Sequence, residues 1–304
     1  MIKAKVDIDQ LIEKIAQGDV RALARALTFV ENDISPANEL LKKLKPKNET
    51  PIIGITGPPG AGKSTLVNAI TDVFCQRHLR VAILAVDPTS PFNYGSLLGD
   101  RIRMAKHFNH PDVYIRSIAT RGSLGGLSSK TMEMLDVLRA AAFDVILVET
   151  VGVGQSEVEI AGLADKTVLV LVPEAGDEIQ HIKSGLMEIA QAFVVNKADR
   201  EGADGFANKL QKMLREQHQS IPVFKTVAEK ALGVEALCDW MLNTQTMPNN
   251  KKAYLLAQKA FQLIEAKRMK DVDKTKLISL LENRQNSENF NLYAFVDDFE
   301  TGVL

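Results

Sequence analysis

The chain of 304 residues has only two cysteines, Cys75 and Cys238. They stand far apart and form no C-x-x-C, which excludes a disulfide framework and fits a reducing, cytoplasmic setting. Charge of one sign is also missing. Lys and Arg number 37 against 38 Asp and Glu, a formal net charge of -1. That balance gives no electrostatic reason to expect nucleic acid or an anionic membrane as a partner. No apolar run reaches the roughly 18 residues of a spanning helix. The N-terminus carries Asp7, Asp9 and Glu13 and no continuous apolar core, unlike a signal peptide. There is no internal repeat and no low-complexity tract. What remains is 45% hydrophobic and 25% charged, an ordinary globular composition with room for one large α/β domain plus appendages.

Ile52-Ile53-Gly54-Ile55-Thr56 reads as a buried strand, and Leu66, Val67, Ile70, Val73 and Phe74 recur as one face of a helix. Between them, Gly57-Pro58-Pro59-Gly60-Ala61-Gly62-Lys63-Ser64 has the P-loop form G-x-x-x-x-G-K-[ST], continued by Thr65. Backbone N–H groups can wrap phosphate oxygens only where no side chain blocks them, hence Gly57, Gly60 and Gly62. Lys63 brings a point charge to the outer phosphates, the Ser64 hydroxyl can bind Mg²⁺, and the helix N-terminus faces the same anion.

Before this loop, residues 6 to 31 show two helical stripes separated at Gly18-Asp19, with Asp19 as an N-cap, and a short helix is expected over Pro36 to Leu44. After it, strand-like runs at 52–56, 81–86, 113–118, 144–148, 167–172, 192–195 and 221–224 alternate with helical patterns. The alternation predicts an α/β P-loop NTPase fold with a doubly wound, mostly parallel sheet. Ligands in such sheets sit at the carboxyl ends of the strands. The expected organisation is an N-terminal helical segment (1–48), a nucleotide-binding domain (49–248) and a C-terminal helical extension for dimerisation or docking (249–304). The tail from Asn286 to Leu304 is expected to be loosely ordered.

The strand ends carry the polar residues. Asp87 closes one strand, as a metal ligand, a water-positioning base or simply a turn residue. Phe143 to Glu149 has the Walker B form, an apolar strand delivering one carboxylate toward Mg²⁺. Gly152 follows three residues later, the spacing by which a G protein brings a backbone N–H to the γ-phosphate. Gln155 in the following switch-like loop is one candidate for orienting water. Asn196-Lys197-Ala198-Asp199 has the N-K-x-D form, about 130 residues after the P-loop. Its Asp accepts hydrogen bonds from guanine N1–H and the 2-amino group. Adenine has neither donor, so a buried Asp left unpaired would select GTP over ATP. Asn196 can tie loops together and Lys197 can lie over the base. At Val227-Ala228, where G proteins usually place Ser-Ala, the serine hydroxyl is absent, although a backbone N–H can still contact the base.

Longer motifs then carry a resemblance. Val86-Asp87-Pro88-Thr89-Ser90-Pro91, Gly95-Ser96-Leu97-Leu98-Gly99-Asp100-Arg101, Arg121-Gly122-Ser123-Leu124-Gly125-Gly126-Leu127 and Glu149-Thr150-Val151-Gly152-Val153-Gly154-Gln155-Ser156-Glu157 resemble the MeaB/ArgK-type G-protein chaperones of methylmalonyl-CoA mutase. The resemblance covers about residues 10 to 240. It implies a GTPase of the signal-recognition, MinD and BioD class, with Lys63 and Asp87 catalytic and with Asp87, Asp100, Glu149 and Ser64 around Mg²⁺. It also implies a third switch over Gly176 to Lys183, a homodimer formed through the C-terminal helices, and GTP/GDP and Mg²⁺ as cofactors. The implied partner is a B12-dependent acyl-CoA mutase, with its adenosyltransferase as a further partner. The work would be to gate adenosylcobalamin loading and protection of that mutase. Asn93-Tyr94 and Val227 depart from the family pattern.

Two other functions are consistent with a P-loop: a metal-delivery GTPase of hydrogenase or urease maturation, and an ATPase or kinase serving amino-acid transport. The first needs a Cys/His cluster. His107 with His110, and Cys75 with His78, have the spacing of paired zinc or nickel ligands, but no third and fourth ligand is apparent, so they read as surface or core residues.

Overall fold

The computed structural model describes residues 6–47, 49–87, 104–119, 130–150, 156–176, 189–216, 220–243, 250–269, 271–285 and 290–300. Seven strands form one sheet: β1 (Ile52–Thr56), β2 (Val81–Asp87), β3 (Val113–Ala119), β4 (Val145–Thr150), β5 (Lys166–Leu171), β6 (Ala192–Val195) and β7 (Val223–Lys225). They pair in the order β3-β2-β4-β1-β5-β6-β7, and every pairing is parallel. Every residue of β1, β4, β5 and β6 is buried, as strands covered on both faces require.

Eight helices around this sheet are described: α1 (Ile8–Ala16), α2 (Val20–Glu31), α3 (Pro36–Lys43), α4 (Lys63–Gln76), α5 (Thr131–Ala140), α6 (Ser156–Leu163), α7 (Ala203–Glu216) and α8 (Val234–Asn243). The pleat sends alternate residues to opposite faces. On one face Ile52, Leu84 and Ile146 join the apolar stripes of α1, α2, α3 and α5 and Ile160 of α6. On the other, Ile53, Ile83 and Leu147 meet Leu66, Ile70 and Phe74 of α4, with Leu237 and Met241 of α8. Burying a large apolar side chain stabilises by about 1.5–3 kcal/mol. The three α4 residues, each fully buried, therefore anchor the start of that helix beneath the P-loop.

Asp19 does cap α2, accepting from the amides of Arg21 and Ala22 at 2.8 and 2.9 Å. The start of β1 is held by Asp165, which accepts from Ile52 N at 2.8 Å and pairs with the nearly buried Arg139 guanidinium. Lys166 at the foot of β5 is 3% exposed and donates to the carbonyl oxygens of Met241 at 2.5 Å and Trp240 at 3.3 Å, near the C-terminus of α8. Burial pushes its ammonium below the usual lysine range.

The chain divides into two compact units, 1–253 and 254–304. The second holds most of α9 (Asn250–Arg268), then α10 (Lys274–Arg284) and α11 (Leu292–Glu300). Helix α11 corrects the expectation of a loose tail over Leu292–Glu300, while 286–289 and 301–304 lie outside the described residues. Asn291 accepts from the amides of Tyr293 and Ala294 at 2.9 and 3.1 Å, an N-cap at the head of the helix. Phe295 packs between Phe290 and Phe299. Phe295 is therefore buried at i and i+4 with Phe299, while Tyr293 of the same helix stays exposed, and a short segment of mixed polarity conceals the pattern. Among the described residues no helix is long and apolar enough to cross a membrane.

Candidate nucleotide site

The loop between β1 and α4 is shaped by what a Cβ would strike. Gly57 has φ 144°, and a Cβ there would lie 2.1 Å from the Val170 carbonyl oxygen on β5, so only glycine lets the chain turn off the strand. Pro58, Pro59, Gly60 and Ala61 form the loop, and Gly62 is the N-cap residue of α4, whose first turn is Lys63, Ser64 and Thr65. The Lys63 ammonium donates to the carbonyl oxygens of Gly57 at 2.8 Å and Pro58 at 2.9 Å, which keeps it at the loop. The Ser64 hydroxyl donates to Glu149 Oε1 at 2.6 Å. Both side chains belong to nearly buried residues, 7% and 4% exposed. Parallel pairing of β1 with β4 sets Glu149 opposite Ile55 and so brings the acid to the foot of the loop. One residue further, the Thr150 hydroxyl donates to that of Thr56 at 3.0 Å, and both residues are fully buried.

The second expected motif lies two strands away. Asn196 follows β6 and is 2% exposed. Its Nδ2 donates to Ala61 O at 2.9 Å, while its Oδ1 accepts from Thr226 Oγ1 at 3.1 Å and from the Ala228 amide at 3.2 Å. One side chain thus joins the P-loop to the loop after β7. Lys197 has φ 55°, unusual for a residue with a side chain, and its ammonium donates to Gly60 O at 2.8 Å. Asp199 differs from the buried acid that the base argument assumes. Its side chain is 45% exposed and accepts from Lys230 Nζ at 3.1 Å. The Lys230 ammonium holds its carboxyl below the usual aspartate range. A carboxylate kept ionised and fixed in direction still suits the donor edge of guanine.

Val227 and Ala228 open the turn after β7. Asp87 is the last residue of β2, with its backbone opposite Ala119 of β3, but its side chain lies outside the described residues. Asp100, Gly152, Gln155 and residues 177–183 also lie outside them. Three threonines at this site escaped the sequence reading. Thr226 stands directly before the Val227-Ala228 pair and supplies a hydroxyl to Asn196, and its place at a strand end was the available signal. Thr56 and Thr150 gave none, since threonine is common in strands.

The paired-ligand spacings resolve differently in space. His107 faces Asp72, with 3.4 Å between Nε2 and Oδ1, and burial pushes its imidazole below the usual histidine range. Cys75 Sγ lies 3.8 Å from His110 Nδ1. Among the described residues no group of three or more His, Cys, Asp or Glu is arranged to hold a metal ion. At the P-loop the donors are of another kind, a hydroxyl and a carboxylate close together and out of water, and hard oxygen donors of this type fit Mg²⁺.

The profile of the family described as Methylmalonyl Co-A mutase-associated GTPase MeaB matches residues 23–284. A Pyrococcus abyssi protein that carries a GTPase name is 52% identical over 240 residues, which is 76% of this chain and 74% of that protein. The mouse protein named Methylmalonic aciduria type A homolog, mitochondrial, is 38% identical over 207 residues, 63% of this chain and 50% of that protein. Among solved structures, one titled LAO/AO transport system kinase superposes with a TM-score of 0.65 at 24% identity, covering 93% of this chain and 89% of that one, and so shares the fold. The chain belongs to the MeaB family of methylmalonyl-CoA mutase-associated GTPases, a family of GTP-hydrolysing chaperones.

Proposed function

We propose that the chain is a GTP-switched chaperone that gates adenosylcobalamin loading and protection of a B12-dependent acyl-CoA mutase. Family membership supports the partner, and one feature of the site supports the switch. Asn196 binds the P-loop and the base loop with a single buried amide, so phosphate and base are held by one connected frame. In this proposal 49–248 is the GTPase domain and 249–304 the dimerising extension. The exposed apolar residues of α9, among them Leu256, Phe261 and Ile264, supply a face for a second copy.

Ser64 and Glu149 would hold Mg²⁺, with Asp87 and Asp100 as further oxygen ligands. When bound, that ion neutralises charge on the β- and γ-phosphate oxygens. The loop amides of Gly60, Ala61, Gly62, Lys63 and Ser64 orient the triphosphate. The Lys63 ammonium stabilises negative charge as the bond from the γ-phosphorus to its bridging oxygen breaks and the electron pair leaves with GDP. Water supplies the incoming oxygen, and its proton passes to the phosphate product or to solvent. The Gly152 amide would meet the γ-phosphate. Asn196, Lys197 and Asp199, with the backbone at Val227 and Ala228, would bind the base.

Pull-down from the native lysate with the chain loaded with a non-hydrolysable GTP analogue tests the role. Recovery of a B12-dependent mutase is expected, and recovery of a hydrogenase precursor or a transport protein instead would overturn it.

A further inference from the structure

The base-reading half of the site has an ion pair that its motifs do not account for. Asp199 is the acid of the N-K-x-D motif, and the motif's own lysine does not serve it, because Lys197 Nζ donates to Gly60 O at 2.8 Å. The next residue, Arg200, is engaged by Glu174. Position 227, where a serine hydroxyl would stand, is valine and offers no side-chain donor. The donor that meets Asp199 Oδ2 is Lys230 Nζ at 3.1 Å.

Lys230 does not arrive there on a loose loop. The 3-10 turn Ala228–Lys230 is closed by backbone bonds in both directions, Val227 N to Leu232 O at 3.0 Å and Leu232 N to Val227 O at 3.3 Å. Lys230 N itself donates to Val227 O at 2.9 Å. The turn leaves through Gly233 at φ 74°, where a Cβ would lie 2.1 Å from Lys225 O, so the exit accepts only glycine. At its entry the Ala228 amide is held by Asn196 Oδ1, the asparagine of the same motif as Asp199. The turn that carries Lys230 is thus fixed at both ends, at its entry by a buried side chain of the motif that carries Asp199. Other exposed pairs on this surface, such as Lys225 with Asp204 at 2.7 Å, involve no residue of the site.

We propose that Lys230 is a specificity-determining residue for guanine, supplying the orienting bond to Asp199 that a hydroxyl at position 227 would otherwise give. This rests on the guanine reading of the N-K-x-D motif. An ionised carboxylate has about four lone-pair sites, so Asp199 can hold the ammonium and still accept from N1–H and the 2-amino group. Fixing the carboxylate before the base arrives removes part of the ordering cost of binding. Lys230 makes no contact with phosphate in this scheme, so its effect is confined to the base.

The test is calorimetry on the full chain with Mg²⁺ and GDP, inosine diphosphate or ADP. Lys230→Met should weaken GDP about three- to fivefold, the scale of an exposed ion pair. Inosine diphosphate, which lacks the 2-amino donor, should lose less, and ADP nothing. Lys230→Arg should bind as the wild type, and adding Val227→Ser to Lys230→Met should recover GDP affinity. Unchanged GDP binding in Lys230→Met, an equal loss for GDP and ADP, or no recovery with Val227→Ser overturns the proposal while the guanine reading stands. A wild-type chain that binds ADP as tightly as GDP removes both.

Discussion

The two halves of the nucleotide site are built by opposite means. On the phosphate side Lys63, Ser64, Glu149, Thr56 and Thr150 are all nearly or fully buried, and each is delivered by a strand end or the first turn of α4. On the base side Asn196 is buried, but Asp199 and Lys230 stand in solvent on loops. The ligand's chemistry explains the contrast. A triphosphate carries its charge to the site and rewards preorganised donors in a dry, rigid frame, where electrostatic interactions are strong. A purine edge is neutral, and a surface carboxylate can distinguish it by hydrogen-bond pattern. Catalysis and selectivity should therefore separate under mutation, by amounts that follow burial.

The largest effect is expected at Lys63. Lys63→Ala removes a cation aimed at developing charge, and loss of one such donor typically lowers turnover by about 10²–10³-fold. Phosphate release under saturating GTP should fall to near background, while the ratio of GDP to ADP affinity stays as in the wild type. A variant that lost its base preference along with turnover would show that the halves are not separable.

Asn196→Ala strikes the one buried residue that the halves share. It leaves Ala61 O, the Thr226 hydroxyl and the Ala228 amide without their partner, at about 1–3 kcal/mol for each group that stays unsatisfied. Relaxation and water entry should reduce the sum to roughly 2–4 kcal/mol in urea denaturation, and GDP should bind weakly. Loss of GDP affinity with full stability would mean that Asn196 serves the base alone.

These differences also mark what the sequence could reveal. Strands buried on both faces, as β1, β4, β5 and β6 are, must be largely apolar runs and so were readable, and the glycines and lysine of the P-loop are dictated by phosphate chemistry. Asn196 and its P-loop tie were foreseeable because N-K-x-D is a fixed pattern at a strand end. The partners of those motif residues were not. Thr226, Lys230 and the pair Thr56–Thr150 are brought together by sheet register and turn geometry across separations of up to 94 residues, and no local pattern encodes such meetings. Asp199 was expected in the core because acids that read bases are valued for being desolvated; the structure keeps it ionised with a neighbouring charge instead. The helix over Leu292–Glu300 was hidden by its short length.

The pair Thr56–Thr150 offers a smaller test inside the buried half. Thr150→Val keeps the shape but strands the Thr56 hydroxyl, which should lower stability by about 1–2 kcal/mol. Adding Thr56→Val removes the stranded group and should restore most of it. If the hydroxyl bridge also aligns β4 with the P-loop, the double variant will be stable yet slow, with kcat lowered and KM unchanged. Full activity in that variant would reduce the pair to packing.

The smallest effect concerns the layer beneath both halves, where Cys238 of α8 is fully buried in the apolar layer that also holds α4. Burial pushes its thiol up to about 12 from an ordinary value of 9.0. The folded chain therefore keeps this proton through a range in which the unfolded chain releases it. The resulting stabilisation is fully present below about pH 9 and is lost as pH rises from there toward 12. By pH 10 the contribution should have fallen by about 1.4 kcal/mol, the size expected for one unit of titration in the unfolded state alone. Lysines and tyrosines titrate nearby, so the measurement is the difference between the wild type and Cys238→Ala in urea denaturation at pH 8 and pH 10. The alanine variant should start less stable, from the lost sulfur contacts, and then decline less steeply. Thiol labelling separates this from a general alkaline effect: the half-exposed Cys75 should react in the native state and Cys238 only on unfolding. Equal slopes with and without the cysteine, or native-state labelling of Cys238, would mean that water reaches the layer under α4. The rigidity ascribed to the phosphate half would then need another source.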